Sequence, residues 1–334
     1  MKNTKKWLFV LMNLIFVMGM VFAGGGQQGG DTYAVKPRQL NRKLRVALVP
    51  VTMNTAYTMT INGAKEEIAR LGDNMELIVQ APSSNTSTIQ EQGNILESLI
   101  QQKVDAIALA TESDASMLPY LRDAARANIP VFLFNMTEID QENIYYVSSI
   151  GYDQYKAGYD IGKWVADNYG DKDTKIGVLE GYAGIVNTMR MDGFKEAIKN
   201  SPRIQIVASQ TADWNRTGGQ RVTESILVSN PDINLIYGPY DEMVLGGLIV
   251  IRERGLLGKI DVVGFGCTKD GVDAIEAGEM KATIDVGEKG TGFDIINAVN
   301  DFCVKGQTVE KVINRPSTVY DATNLKELDR SIFD

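Results

Sequence analysis

Eight residues carry most of the recognition chemistry in this sequence: Asn54, Tyr57, Asn135, Tyr182, Arg190, Trp214, Tyr240 and Asp241. They comprise rings, amides, one guanidinium and one carboxylate. Such a set stacks on a small molecule and hydrogen-bonds to it; it has little of the paired-carboxylate character that acid–base catalysis uses. The chain contains no histidine, which removes the commonest general base, the commonest zinc ligand and any histidine-dependent triad. No glycines form a G-x-G-x-x-G or G-x-x-x-x-G-K-[ST] phosphate cradle, and no serine sits in a G-x-S-x-G elbow. A binding protein without metal or cofactor is expected, not an enzyme.

Each of these residues also has a plainer role. Loop asparagines such as Asn54 and Asn135 serve turns. Arg190 lies on a helical pattern and could pair with Asp192 or a surface acid. Trp214 could be packed core. Asp241 opens a helix-like stretch in "Y-G-P-Y-D-E-M-V-L-G-G" (237–247), where a carboxylate most often accepts the orphan N–H groups as an N-cap, and Glu242 suits the helix dipole. What raises the set above these readings is a shared position: nearly every member follows an apolar run.

Those runs alternate with amphipathic stretches. Apolar segments at 44–51, 75–81, 106–110 and 130–135 are separated by helical patterns near 57–71, 88–101 and 115–127. A second series follows "Y-Y-V-S-S-I-G-Y-D" (145–153): helices near 153–169, 187–199, 216–229, 241–254 and 270–277 alternate with apolar runs at 175–181, 204–210, 235–237, 262–266 and 281–286. A long helix over about 288–305 closes the series. Near-continuous apolar runs between helices are parallel strands covered on both faces, so the fold class is α/β, in two similar halves with a seam near residue 150. Sites in such folds lie beyond the carboxyl ends of the strands, where these residues fall.

The 334 residues are 44% hydrophobic and 23% charged, ordinary for a globular chain of about two domains. Residues 1–23 read as a secretory signal peptide: basic "M-K-N-T-K-K", an apolar run, then "V-F-A". A retained anchor is the rival, and a lipoprotein is disfavoured because no cysteine stands at the cleavage point. Residues 24–42 read as a flexible lead-in. The net charge of −8, more acidic still without Lys2, Lys5 and Lys6, excludes a nucleic-acid partner. Two cysteines, Cys267 and Cys303, could be bonded after export or could be buried thiols.

Six motifs in order carry a family resemblance: "V-P-V-T-M-N-T-A-Y … N-G-A-K-E-E" (49–67), "G-Y-D-Q-Y-K-A-G-Y-D-I-G" (151–162), "R-M-D-G-F" (190–194), "A-S-Q-T-A-D-W-N-R" (208–216), "Y-D-E-M-V-L-G-G" (240–247) and "V-V-G-F-G" (262–266). Together they resemble the ribose-binding-protein-like periplasmic sugar-binding proteins, over about residues 44–325. The resemblance implies the periplasmic binding protein type I architecture: two Rossmann-like lobes joined by a three-strand hinge, with the ligand buried between them. It implies a first lobe of 43–149 plus 287–318 and a second of 150–286 plus 319–334. It also implies a periplasmic monomer that hands its ligand to an ABC importer permease, with a chemoreceptor as a further partner.

Carried over by motif, Asn54 matches a ligand-binding asparagine, Tyr57 and Trp214 stacking aromatics, Tyr182 a pocket-lining position and Arg190 a hydroxyl-binding arginine. Sugar C–H faces suit rings, and sugar hydroxyls suit a planar fork donor. The chain departs from the family at four places. Asn135-Met136 replaces Asp-Arg, Tyr240 replaces Asn, Gly266 replaces Asp, and Val286 stands where Gln is common. The expected pocket is therefore more aromatic and less polar than the family's norm. A nucleoside or other planar ring is the alternative ligand, and a sensor for a chemoreceptor or sensor kinase the alternative role.

Overall fold

The computed structural model describes residues 34–83, 88–135 and 144–334. Chain order runs β1 (Leu44–Val49), α1 (Thr55–Arg70), β2 (Met75–Val79), α2 (Thr88–Gln101), β3 (Ala106–Leu109), α3 (Asp114–Arg126), β4 (Val131–Phe134) and β5 (Ser148–Gly151). It continues α4 (Gln154–Tyr169), β6 (Thr174–Glu180), α5 (Ile185–Ile198), β7 (Ile204–Thr211), α6 (Arg216–Ser229), β8 (Leu235–Tyr237) and α7 (Asp241–Glu253). Last come β9 (Asp261–Val263), α8 (Lys269–Glu276), β10 (Ala282–Asp285), α9 (Glu288–Cys303), β11 (Val312–Asn314), β12 (Thr318–Asp321) and two 3-10 turns.

The strands form two six-stranded sheets, ordered β11-β5-β4-β3-β1-β2 and β12-β10-β9-β8-β6-β7. Every pairing is parallel except β10 with β12. The expected two-lobed α/β class therefore holds. Strands β3 and β4 are buried along their whole length, as helices on both faces require.

Three segments pass between the sheets: 151–154, 285–288 and 314–318. Relative to the boundaries the resemblance implies, β5 carries the first sheet two residues further, to Gly151, and β12 begins in the second sheet at Thr318. The last long helix, α9, belongs with the first sheet. Its Ile295, Ile296, Val299 and Phe302 share a core with Ile61, Ala64 and Phe132. The packing against α1 is close enough that a Cβ on Gly63 would meet the Lys289 carbonyl oxygen at 1.9 Å, so only glycine fits there.

One expectation is corrected, and one left open between two alternatives is decided. Residues 34–42 are not a flexible lead-in. Val35 and Leu40 pack on the first core, the Arg38 and Leu40 amides donate to the Phe302 and Cys303 carbonyls at 2.8 and 2.9 Å, and Arg42 pairs with Asp105. Apolar side chains and matched backbone donors outweigh the entropy that a polar composition appeared to favour. The cysteines are both free and buried, in the separate cores of the two lobes, so no bond joins them. The proposed signal peptide and Met136 lie outside the described residues. Among the described residues no helix is long and apolar enough to cross a membrane.

Candidate functional site

The carboxyl ends of both sheets face a common cavity of about 170 Å³. Its walls include Asn54, Tyr57, Glu112, Asn135 and Glu288 from the first lobe, and Tyr152, Tyr182, Arg190, Trp214, Tyr240 and Phe265 from the second. Seven of the eight residues singled out in the sequence thus meet in one place. That volume is below the roughly 300–1,000 Å³ of clefts for drug-sized ligands and suits a smaller occupant.

Arg190 is the most constrained member. It is 8% exposed. Its Nε donates to Gln154 Oε1 at 2.7 Å, its Nη1 to the Pro239 carbonyl at 2.6 Å and its Nη2 to the Tyr152 hydroxyl. The Phe265 ring lies 4.1 Å from the guanidinium carbon. Asp192 is not its partner. Gln154 passes the restraint on, donating its Nε2 to the Asn135 carbonyl at 2.9 Å. The fork is thus locked in place before any ligand arrives, with two of its five N–H donors left over.

Trp214 is held by backbone geometry. It and Asp213 adopt φ of 56° and 55°, a left-handed conformation that costs a non-glycine residue about 1–3 kcal/mol. The indole lies over Gly181, where a Cβ would fall 2.0 Å from its ring. Tyr182 and Tyr240 meet it at 6.1 and 6.3 Å with interplanar angles of 90° and 64°. Tyr57 sits edge-on to Phe134 at 6.0 Å.

On the first-lobe side, Asn54 is the N-cap of α1. Its Oδ1 accepts from the Tyr57 amide at 2.9 Å, so its Nδ2 is what it can offer a ligand. Asn135 adopts φ of 56°, is 6% exposed and donates its Nδ2 to Glu288 at 3.3 Å. Glu288, 3% exposed at the start of α9, also accepts from Thr60 Oγ1 at 3.0 Å. Burial pushes the Glu288 and Glu112 carboxyls above their usual range, and Arg190 opposes that rise in both. The Tyr182 hydroxyl reaches across to Glu112.

The lobes also touch at the mouth of the cleft. The Ala56 amide donates to the Tyr240 hydroxyl at 3.4 Å, and Thr55 Oγ1 to Glu242 Oε1 at 3.2 Å. Tyr240 thereby supplies an acceptor to an orphan N–H in the first turn of the facing α1.

Asp241 does not line the cavity, and it is not the cap. Tyr240 occupies the N-cap position without a side-chain cap bond, and Asp241 is the first helical residue. Its fully buried carboxylate turns into the second lobe. It accepts from the Thr268 amide at 2.7 Å, the Thr268 hydroxyl at 3.2 Å and the Thr283 hydroxyl at 2.8 Å, tying the β9–α8 turn to β10. Desolvation raises its pKa to about 6 despite those bonds.

Two acids that the sequence reading did not single out, Glu112 and Glu288, also belong to the cavity wall. Glu112 lies in the turn after β3 and Glu288 opens a helix, so each looks in sequence like an ordinary turn or helix-start acid. The apolar run ahead of Glu112 was the available signal. Among the described residues no group of histidine, cysteine, aspartate or glutamate is arranged to hold a metal ion.

Residues 46–307 match the periplasmic binding protein domain family. The chain belongs to that family. Among relatives of this periplasmic binding protein, the ribose import binding protein RbsB of Haemophilus influenzae is 31% identical over 271 residues, covering 80% of this chain and 88% of its own. The galactofuranose-binding protein YtfQ of Escherichia coli is 29% identical over 274 residues, covering 80% and 84%. Among solved structures, an ABC transporter periplasmic solute-binding protein of Actinobacillus succinogenes with bound D-allose superposes with a TM-score of 0.78. It is 28% identical and covers 86% of this chain and 100% of that one. In this binding protein Gly266, where the resemblance calls for aspartate, has φ of 109°, and a Cβ there would stand 3.6 Å from the Tyr240 ring. The tyrosine thus lies against the place where an acidic side chain would project.

Proposed function

We propose that this protein captures a monosaccharide or sugar-like polyol between its lobes and delivers it to an ABC importer outside the cytoplasmic membrane, after export by the signal peptide at 1–23. The observation that carries this reading is the cleft: a small cavity between the two sheets, with Tyr182, Trp214 and Tyr240 on one side and a locked Arg190 among them. The rings match sugar C–H faces, and the remaining guanidinium donors match hydroxyls. The sugar-binding relatives support the same ligand class.

Function then follows from closure and not from bond making. A ligand held by both walls stabilises the closed arrangement, in which Ala56 meets Tyr240 and Thr55 meets Glu242. The permease reads that form, with the binding protein as a monomer; a chemoreceptor reading it is the sensing alternative. A nucleoside is less favoured because the rings meet edge to face, at 90° and 64°, without forming a parallel slot for a base.

Thermal unfolding and calorimetry across aldopentoses, aldohexoses, furanose sugars, inositols and nucleosides test this. Saturable binding of a sugar or polyol that raises the melting temperature is expected. Binding of a nucleoside with no sugar response would overturn it. Continued uptake of the ligand after deletion of the partner permease would point to sensing instead.

A further inference from the structure

The described residues lining the cavity include two carboxylates, Glu112 and Glu288, and one guanidinium, Arg190. Arg190 makes its three hydrogen bonds to neutral groups, Gln154, Pro239 and Tyr152, and forms no ion pair with either acid. With both acids ionised the cavity carries one negative charge in excess, and burial pushes both carboxyls towards the neutral form. Around a neutral ligand an acid there must either take up a proton or stay charged without a counter-ion in a low-dielectric site, whereas a cationic ligand lets both ionise.

A second feature points the same way. Asn135 is 6% exposed and lines the cavity, and its Oδ1 has no hydrogen-bond partner. The orientation of the amide is set by its neighbour. Nδ2 faces the Glu288 carboxylate at 3.3 Å, and with that carboxylate ionised the reverse arrangement would set two acceptors against each other. The Asn135–Glu288 pair thus presents an orphaned acceptor beside a carboxylate. A hydroxyl can donate to one of these; an ammonium carries up to three donors, no acceptor and the missing charge.

We propose that the ligand is a cationic amino sugar or amino polyol, its ammonium seated at Asn135 Oδ1 and Glu288 and its ring among Tyr182, Trp214 and Tyr240. This rests on the sugar-binding reading and narrows it. Arg190 then serves the hydroxyls, and the excess charge of Glu112 and Glu288 is balanced. The groups acting on Glu288 are Asn135, Thr60, Arg190 and Asp285, and Glu288 in turn acts on Tyr57 and Tyr152. Apart from Arg190, these supply no positive charge.

Calorimetry of the full chain with glucosamine, galactosamine and mannosamine, each against its parent hexose and its N-acetyl derivative, tests this. At least one amino sugar should bind about ten-fold or more tightly than both neutral counterparts near pH 6.5. That preference should fade as the amine loses its proton, around pH 8 for an α-amino-like group. Glu288→Gln, checked for an unchanged melting temperature, should abolish most of the preference, and Glu112→Gln should reduce it independently. Parent hexoses binding as well as or better than the amino sugars would overturn the charge assignment while leaving sugar capture intact. No binding by either class, with saturable binding of a nucleoside, would overturn both together.

Discussion

The two walls of the cleft are built on opposite plans. The second-lobe wall is restrained before ligand arrives: Arg190 has three partners and a ring beneath it, and Trp214 is fixed by a left-handed turn and a glycine floor. The first-lobe wall is polar and incompletely satisfied. Asn54 has given its Oδ1 to a helix end, Asn135 keeps an unpaired oxygen, and the buried Glu288 and half-buried Glu112 form no ion pair among the described residues. One wall supplies shape and a fixed donor, the other supplies acceptors whose partners the ligand must bring. Affinity from the first comes without ordering cost, whereas the second discriminates, because an unfilled buried acceptor costs about 1–3 kcal/mol.

The largest test of this contrast removes the fixed donor. Arg190→Ala should weaken ligand binding by about 100-fold or more, roughly 3 kcal/mol, measured by calorimetry. It should also lower the melting temperature, because Gln154 Oε1, the Pro239 carbonyl and the Tyr152 hydroxyl all lose a buried partner. Arg190→Lys should recover little, since an ammonium cannot reproduce the planar fork. Near-wild-type binding by Arg190→Ala would mean that the second wall holds its rings without it.

Asp241 tests the wall's support rather than its face. Asp241→Ala should cost about 2–4 kcal/mol of stability, by leaving the Thr268 amide and Thr283 hydroxyl buried without an acceptor. The pH dependence has a definite sign. The folded-state pKa of about 6 lies above the ordinary 3.8, so the folded state binds more protons between those values. The contribution is fully present below about pH 4, falls as pH rises to 6, and is then lost; it amounts to about 3 kcal/mol. Asp241→Asn, which keeps an acceptor for Thr268, should flatten that slope in urea unfolding measured from pH 4 to 7, with ligand affinity little changed.

The difference between the walls also explains what the sequence disclosed. The apolar runs 44–51, 106–110 and 130–135 marked strands by composition alone, because burial on both faces demands it, and residues at or just beyond their ends line the cavity. Rings and an arginine at those ends are conspicuous, so the second wall was legible. Glu112 and Glu288 were not, since an acid near a helix start satisfies the dipole wherever it points, and only three-dimensional packing turns it inward. Asp241 failed in the opposite direction. It looked like a cap, while φ of −163° places Tyr240 at that position and sends the carboxylate into the core. Strands β11 and β12 escaped notice because "V-I-N" and "T-V-Y-D" are short and mixed, and pair only at sheet edges. Met136 lies outside the described residues.

A smaller effect is expected from the ring that only packs. Trp214→Ala should weaken binding by about ten-fold, the one or so kcal/mol that an aromatic face contributes beyond its area. Gly181→Ala tests whether position matters as much as presence. The added methyl would strike the indole, at 2.0 Å from Cε2, and displace it without removing it. A loss comparable to that of Trp214→Ala is expected from competition calorimetry. Full affinity in Gly181→Ala would show that the indole tolerates a shifted seat and that the second wall is less rigid than its contacts imply.

The smallest effect belongs to the contact that joins the walls. Tyr240→Phe keeps the ring against Trp214 and removes only the hydroxyl that accepts from the Ala56 amide, at a long 3.4 Å. That bond exists only when the lobes meet, so its loss should leave the melting temperature of the ligand-free protein within about a degree. It should reduce affinity by a factor of about two to five, in the dissociation rate and not the association rate. Equal effects on both rates would mean that Tyr240 shapes the open cleft as well. In that case the first turn of α1 is presented to the ligand by the second lobe, and the two walls are less independent than their chemistry makes them look.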